Sequence, residues 1–394
     1  MRPLTAWVSF GLMLCLALAS CAPAPTAQPA APAAPAAAAA QGAPAGAASE
    51  AVAPAAPAAQ AGQAAPPLKK FRVLLPFREG ITFFPISIAQ ELGYLKAEGI
   101  DMDLQVANGS SALIQQLGAG NGEIGVVLAP NTLLGYAEGV KYKAFYDFLT
   151  KNTFDTKVLD GSPINTLADL RGKTIGTIDL TRGDLPLLRV QLRRAGLDPQ
   201  RDVNIVALGP DMVVHAQALR DGKADALNIS WNNTVSVEAA GVKLKCITCD
   251  TEELQLASET TVATLPVFQR DRQYLVGFGR ALAKATLFAE TNPDAAIAIM
   301  AKVAPAEHTD PAYARTFFMA ALDIMRPRQP GKYGLHDLGG WERLQDYMQA
   351  PTEIQATGLT TKVNISEVVT NELVDEMNRF DADAVRKEAQ AYRP

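Results

Sequence analysis

The chain is poor in the side chains that usually do chemistry. It holds three histidines and four cysteines in 394 residues, a small stock for metal or thiol work. His215, His308 and His336 are scattered, form no HExxH motif and have no cysteine partner nearby. No GxSxG elbow is present, which removes that route to an activated serine. Lysine and arginine never gather into a basic run, and the formal net charge is −5, so nucleic acid is not expected as a partner. Beyond the N-terminal segment no apolar run is long enough to cross a bilayer. From Cys21 to about Pro67 there is no aromatic residue, and nearly every apolar side chain is alanine.

What the N-terminus does contain is a targeting pattern. Arg2 supplies a positive charge, and "AWVSFGLMLCLALA" is an apolar stretch too short for a stable span. It ends in "LASC", Leu18 to Cys21, which resembles the bacterial lipobox. That resemblance implies cleavage before Cys21 and lipid attached to its sulfur; an ordinary signal peptide cut nearby is the alternative. The Ala/Pro-rich tract that follows has proline every few residues, which forbids a helix. It cannot bury enough surface to offset the entropy of ordering, so it is expected to act as a semi-extended spacer. Cys21 then reads as a membrane anchor, the tract as a tether, and the folded body begins near Leu68.

The body carries an internal near-repeat. "LIQQLGAGNGEIGVVLAPN" starts at Leu113 and "HAQALRDGKADALNISWNN" at His215. Both read as a helix, then Leu-x-x-Gly-x-x-acid, then an apolar strand and a polar turn. Leu117, Gly120 and Glu123 correspond to Leu219, Gly222 and Asp225. Upstream, "LKAEGIDMDLQVANG" and "LRRAGLDPQRDVNIVALG" match in the same way, preceded by strands "FRVLLP" and "KTIGTID". Each unit is therefore strand-helix-strand-helix-strand, which predicts two α/β lobes built on parallel sheets. Ligands of such sheets sit beyond the carboxyl ends of the strands. Those ends are "PFREGITFF", "ANGSS" and "APNT" in the first unit, and "LTRGD", "LGPD" and "SWNN" in the second. If the lobes face each other, all six loops are expected to line one cleft.

Several short motifs fail on context. "GNGEIG" matches GxGxxG but follows a helix and opens a strand, the reverse of a dinucleotide fingerprint. "RGKT" at Arg171 lacks the earlier glycine of a P-loop and enters a strand. His215 lies on a predicted helix and reads as structural. "CITC" holds Cys246 and Cys249; with no second pair, a small disulfide or two free thiols is expected rather than zinc.

Taken in order, "FFPISIAQELGYLKAEGIDMDLQ", "ALIQQLGAGNGEIGVV", "TLADLRGKTIGT", "LRRAGLDPQRDV" and "FAETNPDAAIAIMAK" resemble a family: the solute-binding proteins of ABC importers in the nitrate, sulfonate, taurine and thiamin-pyrimidine group. The resemblance covers about Val73 to Lys302 and fades after about Arg326. It implies an α/β protein of the type II periplasmic-binding-protein fold, with two lobes, a hinge and an inter-lobe cleft. The expected division is a leader over 1–20, a tether over 21–67, lobe 1 over 68–155, lobe 2 over 156–260, and a return to lobe 1 with C-terminal helices over 261–394. Implied partners are a small solute, the permease and ATPase of an importer, and a membrane reached through the lipid; the chain is expected to be a monomer outside the cytoplasm, without a cofactor. One branch resembling this family makes the thiamin pyrimidine enzymatically near a cysteine-rich motif, which this chain lacks.

The loop residues suggest what is held. Phe77, Phe83, Phe84 and Trp231 are candidates to sandwich a flat ring. Asn131, Asn232 and Asn233 give and accept hydrogen bonds, as a heterocycle edge requires. Asp184 and Asp211 would accept from an exocyclic amine, whereas Arg78, Arg182, Ser110 and Ser111 suit an oxoanion; Thr181 is a further ligand-binding candidate. The plainer alternatives are core packing for Phe83, Phe84 and Trp231, solvation for Arg182, and a helix cap for Ser110. The rings and amides favour a planar heterocycle, a vitamin or its precursor such as a thiamin pyrimidine or riboflavin. A sulfonate, taurine or nitrate is the alternative.

Overall fold

The computed structural model describes residues 67–78, 80–151, 153–178, 180, 184–249, 255–349 and 359–393. The leader, Cys21, the tether as far as residue 66, Thr181 and Arg182 lie outside the described residues.

The first repeat unit supplies strands β1 (Lys69–Leu75), β2 (Ile100–Val106) and β3 (Ile124–Leu128). Helices α1 (Phe84–Glu91), α2 (Tyr94–Ala97) and α3 (Ser110–Gly118) connect them, and α4 (Ala129–Ala137) leads on to β4 (Tyr142–Leu149). The chain then crosses to β5 (Phe154–Leu159) in a second sheet. There the second unit supplies β6 (Thr174–Thr177), α5 (Leu185–Arg194), β7 (Asn204–Ala207), α6 (Met212–Arg220) and β8 (Ala226–Ser230). Helix α7 (Trp231–Ala239) and β9 (Leu244–Cys246) complete that lobe, and β10 (Glu259–Thr264) returns to the first sheet.

Strand order is β2-β1-β3-β10-β4 in one sheet and β7-β6-β8-β5-β9 in the other. The two orders are the same pattern written twice. In each, the three strands of the repeat pair in parallel, and the strand just after a crossing inserts antiparallel beside the third. This is the α/β, two-lobed, type II periplasmic-binding-protein arrangement. Two expected boundaries shift slightly. β5 has joined the second sheet by Phe154, before the expected change at 155, and β10 has rejoined the first by Glu259, before 261. The inserted strands lie outside the repeat, so no pattern in it marked their starts.

Alternation along β1 explains why the first sheet is covered on both faces. Val73 and Leu75 enter one core and Leu74 enters another across the sheet, all at 0% exposure. The repeated Leu-x-x-Gly-x-x-acid motif also has one local cause. Gly120 (φ 76°) and Gly222 (φ 68°) end their helices in the left-handed region that glycine enters without a Cβ penalty. Three residues on, Glu123 accepts the Arg72 amide at 2.8 Å, and Asp225 accepts the Thr174 amide at 2.9 Å. Each acid thus pins its own strand to the first strand of the unit, a structural use of a carboxylate.

The remaining helices are α8 (Leu265–Arg270), α9 (Arg272–Thr291), α10 (Pro293–Val303), α11 (Pro311–Met325), α12 (Leu338–Met348), α13 (Ile365–Val368), α14 (Val374–Met377) and α15 (Ala382–Ala391). The C-terminal helices were expected on lobe 1. Two of them also touch lobe 2. Tyr313 of α11 bonds Ser236 of α7 at 2.8 Å, and Tyr347 of α12 lies 3.4 Å beneath the Arg194 guanidinium of α5. No helix among the described residues is long and apolar enough to cross a membrane.

Candidate ligand cleft

The two crossings are bound to each other. Thr153, just before β5, and Ser258, just before β10, place their hydroxyls 3.3 Å apart. Above them, between the carboxyl ends of the two sheets, lies a cleft of about 580 Å³. That volume suits a small molecule. "ANGSS" contributes Asn108 to Ser111, and "SWNN" contributes Ser230 to Asn233, to the same wall-to-wall space.

Four helix N-terminal ends line it. Ser110 and Ser111 open α3, Asn131 lies in the first turn of α4, Asp184 precedes α5, and Trp231 opens α7. Such ends present unsatisfied N–H groups and favour acceptor atoms. The turn into α3 is tight: Asn108 (φ 57°) and Gly109 (φ 108°) are consecutive left-handed residues, a conformation asparagine tolerates better than most side chains.

Hydrogen bonds set which atoms remain for a ligand. The Ser111 hydroxyl accepts from the Asn131 amide nitrogen at 3.0 Å, and the Asn131 oxygen is buried with no partner among the described residues. Ser230 places its hydroxyl against the side-chain oxygens of both Asn232 and Asn233, so their NH2 groups are the donors left to offer. Ser110 accepts the Leu128 amide at 3.3 Å and ties α3 to the end of β3. Phe77 is 46% exposed and Trp231 half-buried, and both rings reach the cleft.

Of the residues singled out in the sequence, Ser110, Ser111, Asn131, Asp184, Trp231 and Asn232 line this cleft. Three expected residues do not. Phe83 and Phe84 are fully buried: Phe83 packs on Phe77 and Phe148, and Phe84 on Phe318 of α11. They are core, because the turn after β1 folds back under α11. Asp211 is exposed and does not line the cleft; its carboxylate caps α6 by accepting the Val213 amide at 2.9 Å. Thr181 and Arg182 lie outside the described residues.

Two polar cleft residues were not anticipated. Thr153 enters from the first crossing, and Glu259 opens β10 on the floor. Glu259 is 3% exposed, and no side chain among the described residues bonds or pairs with its carboxyl. Burial alone pushes it up to about 8. No sequence signal marked it: "SETTVAT" reads as an ordinary polar-apolar strand. Among the described residues lining the cleft, Asp184 and Glu259 are the only ionisable side chains, and both are acids.

Outside the cleft, Cys246 and Cys249 are joined as a disulfide. Asp155 lies close enough to make a metal trio with them, but the bonded sulfurs leave no thiolate to ligate. His215 is fully buried and its ring bonds the Gly209 carbonyl at 2.8 Å, a packing role.

The fold and cleft together define a two-lobed protein of the periplasmic-binding-protein class. The chain belongs to the NMT1/THI5-like family, which matches over residues 81–296. It is 23% identical to the riboflavin-binding protein RibY of Chloroflexus aurantiacus, over 78% of this chain and 87% of that one. A binding protein of Brucella abortus is 31% identical over 156 residues, 40% of this chain. The match spans 47% of the Brucella relative, about half its length. Among solved structures, the alkanesulfonate-binding protein SsuA of Xanthomonas axonopodis pv. citri, bound to MOPS, superposes with a TM-score of 0.57. That match is 17% identical and covers 78% of this chain and all (100%) of the other, a likeness of fold.

Proposed function

We propose that this chain is the solute-capturing lipoprotein of an ABC importer, held outside the cytoplasmic membrane by lipid on Cys21. The Ala/Pro-rich tether lets the folded body range above the membrane. The solute is a small planar nitrogen heterocycle, a vitamin or precursor such as riboflavin or a thiamin pyrimidine. One observation carries this reading: the described lining of the cleft combines two aromatic rings and amide edges with two acids and no cationic side chain. An anionic solute meets no cationic side chain among the described lining residues, whereas a ring with N–H groups meets acceptors.

The distribution of donors favours closure. The unpartnered Asn131 oxygen and Glu259 belong to lobe 1, while the NH2 groups of Asn232 and Asn233 belong to lobe 2. A ring with both kinds of edge bridges the lobes and stabilises the closed form by its differential contacts. The closed monomer then docks on the permease. No chemical step is required of the protein.

The second reading, a sulfonate, taurine or nitrate carrier, is favoured by the four helix N-terminal ends at the cleft. A thermal-shift panel separates the two. A ligand at a hundred times its Kd adds about 2.7 kcal/mol of stability. Riboflavin or 4-amino-5-hydroxymethyl-2-methylpyrimidine is expected to raise the melting temperature. A shift by taurine or nitrate, with none from the heterocycles, reverses the assignment. Turnover of a bound compound identifies an enzyme instead.

A further inference from the structure

Glu259 has no structural task that explains a carboxyl at its position. It begins the strand that returns across the hinge, and its backbone pairs with Leu128 of β3 and Leu149 of β4. Both neighbours also line the cleft. An aliphatic residue would satisfy the sheet equally well. A carboxyl that lines a cleft and has no protein partner among the described residues is left to bond water or a captured ligand. The carboxyl lies where a captured ligand lies.

The surroundings constrain that ligand. β3 carries no ionisable side chain. On β4 the ionisable residues close in register are Tyr146 and Asp147, opposite Thr261 and Thr260. Asp147 is held by Arg328 at 3.3 Å, with His336 Nδ1 at 3.7 Å, and does not line the cleft. The other acid among the described residues lining the cleft is Asp184. No described cation of the lining compensates a negative charge on Glu259.

Resting on the heterocycle reading above, we propose that Glu259 determines specificity by pairing with a ring edge that presents an N–H beside a hydrogen-bond acceptor, as an aminopyrimidine or a lactam does. A neutral carboxylic acid is donor and acceptor on adjacent oxygens, so it forms two parallel hydrogen bonds with such an edge. A carboxylate has lost the donor. A sulfonate or nitrate offers only acceptors and can use half of the pair. Burial keeps the neutral form populated at pH 7, since the group titrates at about 8.

Glutamine preserves the donor-acceptor pair without titrating, and leucine removes it. Calorimetric titrations of riboflavin and of 4-amino-5-hydroxymethyl-2-methylpyrimidine into the full chain, Glu259→Gln and Glu259→Leu, at pH 6.5 and pH 9, test the pairing. The compound that binds wild type at pH 6.5 is expected to lose about tenfold in affinity by pH 9. Glu259→Gln is expected to bind with little pH dependence, and Glu259→Leu about tenfold more weakly at both pH values. A pH-independent wild type, or Glu259→Leu binding as tightly as wild type, overturns the pairing while leaving the heterocycle reading intact. If neither compound binds wild type at pH 6.5, both are overturned.

A ligand-free measurement guards against variants that fold poorly. The folded carboxyl titrates at about 8, and the unfolded one near 4.3. Its stabilising contribution is therefore complete in acid and lost as pH rises toward 8. Urea midpoints of wild type are expected to fall, relative to Glu259→Gln, between pH 5 and pH 8.5. Comparison with that variant cancels the titration of Asp147. Parallel curves overturn the neutral carboxyl and the pairing built on it.

Discussion

The indole of Trp231, on lobe 2, lies 5.2 Å from the ring of Phe317, on the α11 helix that packs against lobe 1. One face of the aromatic pair thus ties the lobes, while Trp231 also lines the cleft. The residue has both a structural and a binding role.

Trp231→Ala is accordingly expected to weaken ligand affinity tenfold or more and to cost about 1–2 kcal/mol of stability. Paired titrations and urea unfolding measure the two effects. A loss of stability with unchanged affinity makes the indole packing only.

Phe77 and Phe83 form a contrasting pair, with centroids 5.0 Å apart. Phe83 is fully buried and Phe77 is 46% exposed at the cleft. Phe83→Ala is expected to cost about 3–5 kcal/mol of stability. Phe77→Ala is expected to cost under about 1 kcal/mol yet to weaken ligand binding. Equal stability losses would contradict the division between core and cleft.

Glu123 tests the structural role of the repeated acid. Burial raises the pKa of its carboxyl, but the hydrogen bonds from Arg72 outweigh that and hold it below the usual range. Glu123→Gln is expected to lose about 1–2 kcal/mol at pH 7. Because the folded pKa is depressed, the advantage of wild type is present above the ordinary carboxylate range and disappears as pH falls through the lowered value. Glu123 lies five residues before Leu128 at the cleft end of the sheet, about 16 Å along the strand. Ligand affinity is therefore expected to stay unchanged, and a titration of the variant checks it.

The duplicated unit was legible because its signals are local. Gly120 and Gly222 announce helix ends, Glu123 and Asp225 announce strand pairing, and the apolar runs between them have nowhere to go but a sheet covered on both faces. Two equal units with ligand-bearing loop ends led to the loops of Ser111, Asn131 and Trp231. Where the other aromatic and acidic candidates went depended on contacts far along the chain. Phe84 was taken into the core by Phe318, more than two hundred residues later, and Asp211 turned to its own helix.

Glu259 shows the limit most clearly. A glutamate in a strand has no pattern that distinguishes a solvated side chain from one buried on a cleft floor. Composition and periodicity determined that this chain builds two α/β lobes with facing loop ends. Only the insertion of β10 between β3 and β4 decided that one acid would lie at the bottom of the cleft without a partner among the described residues. The reason is physical: capping and periodicity act over a few residues, whereas burial and desolvation are set by strands that meet only when the chain has folded.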